Sequence, residues 1–207
     1  NAADHVDRVQ LVIEPATQDR RVVRLMAGDP VLDGSLALEA AELAKEGIAY
    51  DIAPGVSTVT GSAAYAGFSL TGGHAREVRV VNAHDTEVDW PSLADPHATV
   101  VVLDGAEQAL DICRVLTIAG RDPRTPVAIT RNCTTVDQRS ILTTLGEVSA
   151  AVKAAKGQVG PGVLVVGEVV SQCAQLSWFE NKPLFGWRVL VPRTKEQSGE
   201  LSERLRT

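Results

Sequence analysis

Short β-branched runs that stop at Gly or Pro, alternating with stretches of helical spacing, constrain this chain more than any other feature of it. Arg21 to Leu25 (RVVRL) reads as a strand ended by Ala27-Gly28-Asp29-Pro30, a cluster that has to leave the strand. Ser35 to Glu46 (SLALEAAELAKE), rich in Ala, Leu and Glu, reads as a helix with Ser35 at its N-cap and Gly47 just past its end. Ile48 to Ala53 reads as a second strand closed by Pro54-Gly55, and Ser57 to Ala66 as a helix of small residues that opens on hydroxyl caps.

The composition changes at Thr71-Gly72-Gly73-His74, and a second set of elements follows. Glu77 to Val81 and Thr99 to Leu103 read as strands separated by a polar, Pro-containing excursion. Ala106 to Ala119 places Ala109, Leu110, Cys113, Leu116 and Ile118 near helical spacing and ends at Gly120. Pro126 to Thr130, Gln138 to Leu145 and Gly162 to Val170 supply three more strands, with a helix over Glu147 to Lys156. A final strand over Trp187 to Val191 and a polar helix over Gln197 to Arg206 follow a Lys182-Pro183-Leu184 joint. Strands alternating with helices predict an α/β layered architecture with its site at strand ends and connecting loops.

Composition narrows the functions open to such a fold. With 207 residues and 44% hydrophobic content, the chain has the apolar residues to bury a core. Lys+Arg is 20 against Asp+Glu 26, a net charge of -6, and no basic run is present, which argues against binding by phosphate neutralisation and hence against nucleic acid. The longest apolar runs, Val100 to Leu103 and Val163 to Val166, are far short of the roughly 20 residues that span a bilayer. Three widely spaced cysteines, Cys113, Cys133 and Cys173, make neither a disulfide framework nor a CxxC metal motif, and a reducing cytoplasm is the expected compartment. A first residue that is not Met, inside a polar helix-like stretch, suggests a fragment.

Several loops carry chemistry, each beside a plainer reading. Gly28 lets a ligand approach the backbone and Asp29 can accept from a ribose or an amino group, yet Gly-Asp-Pro is also ordinary turn chemistry. Pro54-Gly55-Val56-Ser57-Thr58 offers hydroxyls and N–H groups at a helix start, suited to a polar or anionic ligand or simply to capping. Cys133, in Thr130-Arg131-Asn132-Cys133-Thr134, has no His beside it, which argues against a catalytic Cys/His pair. Arg20, Arg21 and Arg24 could meet an acidic ligand or be exposed edge charges. Trp178-Phe179 beside Glu180 reads as packing for the final strand, or as an interface or hinge anchor.

In order and spacing, five blocks resemble the tetrapyrrole methylases, in particular the uroporphyrinogen-III C-methyltransferases. They are VVRLMAGDP (Val22 to Pro30), YDIAPGVSTVTGSAAYAGFSLT (Tyr50 to Thr71), AITRNCTTVDQRSILTTL (Ala128 to Leu145), VLVVGEVV (Val163 to Val170) and LSWFENKPLFGWRVLVPRT (Leu176 to Thr194). The resemblance covers about residues 8 to 180. It implies two α/β subdomains, residues 1–55 and 56–180, with S-adenosylmethionine (SAM) in the cleft between them, and S-adenosylhomocysteine as the product. The tail, residues 181–207, resembles the junction at which some members are fused to uroporphyrinogen-III synthase. Carried over by position, the cofactor-binding residues are Gly28, Asp29, Leu32, Ser57, Thr58, Asp104 and Cys133, with no metal. The implied reaction is C-methylation of uroporphyrinogen III to precorrin-2, towards sirohaem and cobalamin, by a homodimer.

The sequence also departs from the family pattern. The family's glycine-rich first loop and its acid/base pair fall upstream of Asn1, so no catalytic residue is assigned. Lys-Gly-Gly-Asp-Pro becomes Met26-Ala27-Gly28-Asp29-Pro30, and Ser35 replaces an Arg in a stretch that reads Val31 to Ala37 here. Asp104 stands where Met is usual and Cys133 where Gly is usual. A non-catalytic methylase-fold scaffold attached to the synthase is the alternative these departures imply.

Overall fold

The computed structural model describes residues 2–18, 20–32, 35–155, 160–190, 192, 199 and 203–205. The chain divides into two compact units, Asn1–Thr58 and Val59–Thr207.

In the first unit, helix α1 (Ala2–Ala16) buries Val9 and Ile13 and packs with α2 (Ser35–Lys45). The second of these helices ends as its sequence predicts: Gly47 N–H donates to Ala44 and Ile48 N–H to Leu43, satisfying carbonyls the helix leaves open. The strands expected over Arg21 to Leu25 and Ile48 to Ala53 do not form. Both segments are irregular, because a strand exists only through a ladder partner and the described regular elements of this unit are helices. Val23 and Leu25 are instead 73% and 81% exposed. Arg24 forks onto Glu39 of α2 (Nε to Oε2 3.3 Å, Nη2 to Oε1 3.4 Å), so its charge is used within the unit and not held for a ligand.

Helix α3 (Thr58–Ala66) leads into the second unit, where five strands form one mixed sheet. They are β1 (Glu77–Asn82), β2 (Ala98–Leu103), β3 (Pro126–Arg131), β4 (Arg139–Thr144) and β5 (Gly162–Val166), in the order β1-β2-β5-β3-β4. The first pair is parallel, whereas β5 runs antiparallel to both β2 and β3, and β3 runs antiparallel to β4. It follows that β2 and β3 point the same way and end at the same edge of the sheet.

The period-2 alternation of the central strands builds two cores. Val100, Val102, Val127, Ile129, Leu164 and Val166 face α4 (Ala109–Ile118) and α5 (Val148–Ala154), together with Leu93. Val101, Ala128, Val163 and Val165 face Val59, Ala63 and Ala66 of α3, together with Phe68. The apolar run expected to be a single strand over Gly162 to Val170 divides: β5 stops at Val166, and Glu168–Gln172 coils into a 3-10 helix leading to α6 (Cys173–Leu176). Val169, Val170 and Cys173 still join the second core, so hydrophobicity is used in both halves with different periods. No helix among the described residues is long and apolar enough to cross a membrane.

At the far end of the chain, Trp187 to Leu190 form no strand. Val191 and most of the expected Gln197 to Arg206 helix lie outside the described residues. The aromatic pair packs elsewhere: Trp178 and Phe179 meet Tyr65 of α3 at centroid separations of 5.2 and 4.6 Å, and Trp178 Nε1–H donates to Ala64 at 2.9 Å.

Candidate functional site

The residues singled out in the sequence fall into two groups, one in each unit. In the first unit, Gly28 has φ +71, and the Gly28-Asp29 backbone meets the Pro-Gly loop so closely that a Cβ on Gly55 would lie 2.2 Å from the Gly28 carbonyl oxygen. A Cβ on Gly28 would sit 3.2 Å from Thr58 Oγ1. Gly28, Asp29, Gly55 and Thr58 are therefore brought together, as two loops pressed backbone to backbone. Asp29 turns its own loop: Oδ1 accepts Val31 N–H at 2.9 Å and its carbonyl accepts Leu32 N–H at 3.1 Å. Leu32 follows on this turn and is 50% exposed, and Ser57 precedes α3 half-buried.

In the second unit, Asp104 follows β2 and Cys133 follows β3 by two residues, at the shared C-terminal edge. The N-terminus of the antiparallel β5 arrives at the same edge, where Gly162 pairs with Arg131 and accepts Ala106 N–H at 3.2 Å. Three non-glycine residues at this edge hold positive φ: Asp104 at 56°, Asn132 at 47° and Thr134 at 70°. Such backbone costs roughly 1–2 kcal/mol per residue and persists only where surrounding contacts enforce it, which is the pattern expected at strand ends that must present groups to a ligand. Asp104 is exposed, its carboxylate free of a rigid core environment.

Cys133 is half-buried against the second core, and its thiol lies 3.6 Å from the Thr130 carbonyl oxygen. Burial pushes its pKa upward, so it is a neutral thiol and a poor nucleophile. Cys113 is pushed up to about 12 and Cys173 to about 11 by the same cause, and both are core residues.

The loop holding Cys133 is tied down by a group that the sequence reading placed merely at the start of a strand. Gln138, fully buried, accepts Thr134 N–H on Oε1 at 2.8 Å. Its Nε2 donates to the Tyr65 carbonyl at 3.2 Å and to Glu180 Oε1 at 2.9 Å. Glu180 in turn accepts from Ser140 Oγ at 2.6 Å. Nothing in local spacing announces contacts between residues 42 positions apart.

The two glycines are required by this loop-to-loop contact, and the strand-end carboxylate at Asp104 fits a cationic or hydroxyl-bearing partner. Comparisons with known proteins identify the family. Residues 1–149 match the family described as Tetrapyrrole (Corrin/Porphyrin) Methylases. A siroheme synthase of Chromobacterium violaceum is 38% identical over 177 residues, 83% of this chain and 37% of that protein. A siroheme synthase of Azotobacter vinelandii is 40% identical over 179 residues, 84% of this chain and 38% of that protein. The chain thus spans well under half the length of these curated relatives.

Among solved structures, a uroporphyrin-III C-methyl transferase from Thermus thermophilus, complexed with S-adenyl homocysteine, superposes with TM-score 0.65 at 30% identity. The match covers 79% of this chain and 73% of that one. The cobalt precorrin-4 methyltransferase CbiF reaches TM-score 0.71 at 22% identity, covering 79% of this chain and 70% of that one, a likeness of fold. With most of its length matched by the family and its mixed sheet shared with solved members, the chain belongs to the tetrapyrrole (corrin/porphyrin) methylases.

Proposed function

We propose that this chain is the methylase part of a protein that transfers methyl groups from SAM to uroporphyrinogen III, giving precorrin-2 on the way to sirohaem and cobalamin. The observation that carries the reading is the 30% identity, over 79% of the chain, to a uroporphyrin-III C-methyl transferase whose structure contains S-adenyl homocysteine. The siroheme synthase relatives support the same branch of chemistry. In this reading residues 1–55 and 56–180 are the two methylase subdomains, residues 181–207 lead into a uroporphyrinogen-III synthase domain, and the protein acts as a homodimer in the cytoplasm.

SAM, when bound, would supply an electrophilic methyl on its sulfonium for transfer to a pyrrole-ring carbon, with the C–S electron pair left on sulfur and a ring proton given up to balance the new bond. What the chain itself contributes is positioning and electrostatics. The close contact of the Gly28 and Gly55 backbones holds the two loops together, Leu32 adds an apolar contact, and Asp29, Ser57 and Thr58 supply acceptors and hydroxyls for a ribose or amino-acid group. Asp104 offers its carboxylate to the cofactor's ammonium. Cys133 adds a soft, apolar wall, and because burial keeps it protonated it does not compete with the pyrrole carbon for the methyl group.

Calorimetric titration of the intact protein with S-adenosylhomocysteine tests this without the unstable substrate. Micromolar binding, followed by precorrin-2 formation when SAM and uroporphyrinogen III are supplied, is the expected result. No heat at millimolar ligand, with no competition against SAM, sinks the methyltransferase reading and leaves a scaffold attached to the synthase.

A further inference from the structure

We infer that Gln138 is a positioning residue: it sets the conformation of the Asn132–Thr134 loop, and with it the affinity for the cofactor, and Glu180 fixes the orientation in which it does so. The inference rests on the proposed function for its cofactor, but its structural half stands on contacts within the second unit alone.

The loop needs an external hold. Asn132 and Thr134 both carry left-handed backbone on either side of Cys133, a conformation that a free loop of L-residues leaves readily. The Asn132 carbonyl accepts Thr135 N–H at 3.1 Å and Thr135 Oγ1–H at 2.8 Å, which closes the turn after Cys133. The Thr134 N–H donates to Gln138 Oε1 at 2.8 Å, which holds the far side of the loop.

Gln138 can hold it in only one orientation. Flipping the amide would set its NH2 against the Thr134 N–H and its oxygen against the Tyr65 carbonyl and the Glu180 carboxylate, three repulsive contacts in place of three bonds. The side chain is fully buried, so water does not make good a lost partner. Glu180 is itself held by Ser140, through Oγ to Oε1 at 2.6 Å and N–H to Oε2 at 3.3 Å. The same segment is anchored on α3 by Trp178 and Phe179 against Tyr65. The chain of contacts therefore runs from the aromatic anchor through Glu180 and Gln138 to the backbone beside Cys133.

The experiment uses the intact protein and two readouts: S-adenosylhomocysteine affinity by calorimetry, and the rate of Cys133 alkylation by iodoacetamide, resolved from Cys113 and Cys173 by peptide mass. Gln138→Met, close in size and without amide groups, is expected to weaken the affinity and to speed Cys133 alkylation, each by about tenfold. Val148→Ala, a core change at the start of α5, controls for stability alone and is expected to move neither readout at a comparable urea midpoint. Gln138→Glu is expected to match Gln138→Met, because it sets two carboxylates together. The exchange Gln138→Glu with Glu180→Gln restores a donor to an acceptor between the two side chains but leaves the Tyr65 carbonyl without its donor, so it should recover part of both readouts relative to Gln138→Glu, a coupling that general destabilisation does not produce. If Gln138→Met does not fold, the exchange cycle decides the question. Equal effects in Gln138→Met and Val148→Ala, or no recovery in the exchange, overturn the inference. A wild-type protein that does not bind S-adenosylhomocysteine overturns the methyltransferase reading, and the alkylation rates then decide the loop-setting role.

Discussion

Asp104 holds left-handed backbone at the end of β2, a conformation that costs a residue with a Cβ some stability. Glycine would sit there without the Cβ penalty, and asparagine would keep the tolerance for this conformation while losing the charge. Asp104→Gly is expected to raise stability by about 0.5 kcal/mol, the backbone relief being partly offset by the greater freedom of glycine in the unfolded chain. The same change should weaken S-adenosylhomocysteine binding by about tenfold if the carboxylate meets an ammonium group, since a charged hydrogen bond contributes roughly 1.5–3 kcal/mol. Asp104→Asn separates the two effects, with unchanged stability and the same loss of affinity. Urea midpoints and calorimetry check both, and full affinity in either variant removes Asp104 from the cofactor site. Asp104 was reached from the sequence only by position within the family resemblance, and its φ was not legible there. Cys133 stood out in its own loop and in the same resemblance, but the burial that keeps its thiol neutral comes from the second core, beyond the reach of local spacing.

At the scale of elements, what could be read was what local periodicity encodes. Strands β2 and β3 and helix α4 lie within a few residues of their expected bounds, and β5 begins where expected, because burial on both faces demands unbroken β-branched runs and α4 needs a 3.6-residue stripe. Arg21 to Leu25 and Ile48 to Ala53 carry the same β-branched chemistry but form no ladder, since pairing is a non-local event that residue type does not report. The junction of α3 with Leu176 and Ser177 is another non-local feature. Gly67, with φ +90, ends α3 where a Cβ would lie 2.6 Å from the Leu176 carbonyl oxygen and from Ser177 N and Cα. The obstruction is backbone, which has little room to yield. Gly67→Ala is therefore expected to cost about 2–4 kcal/mol and to weaken the near-ultraviolet circular dichroism of the Tyr65–Trp178–Phe179 cluster. Gly47→Ala shares the positive φ with nothing within 4 Å, and should cost only about 1 kcal/mol. Equal losses from the two would show that the close approach of Ser177 to α3 contributes nothing.

At the scale of the whole molecule, the second unit is a sheet between two dry cores, and each core contains a buried thiol. Cys113 lies on α4, facing one side of the sheet, and Cys173 opens α6 on the other, so burial couples the packing of each face to alkaline pH. For Cys113 the folded pKa is raised to about 12 from an ordinary value of 9.0. Its protonated form is favoured by the fold, so the contribution is fully present below pH 9 and is lost as pH rises towards 12, because the unfolded chain ionises first. One pH unit of this window is worth about 1.4 kcal/mol for one thiol. Cys113→Val, which fills nearly the same space and cannot ionise, is expected to flatten the fall in unfolding free energy between pH 8 and 10 by about that amount. Cys173→Val should remove a separate, narrower window on the opposite face, where the folded value is about 11. Because the sheet separates the two residues and they share no partner, the double variant should show the sum of the two effects. Urea unfolding across this pH range measures all three. A wild-type curve that parallels the double variant would mean that the thiols ionise in the folded protein as they do in water, and that neither face of the sheet is as dry as its packing implies.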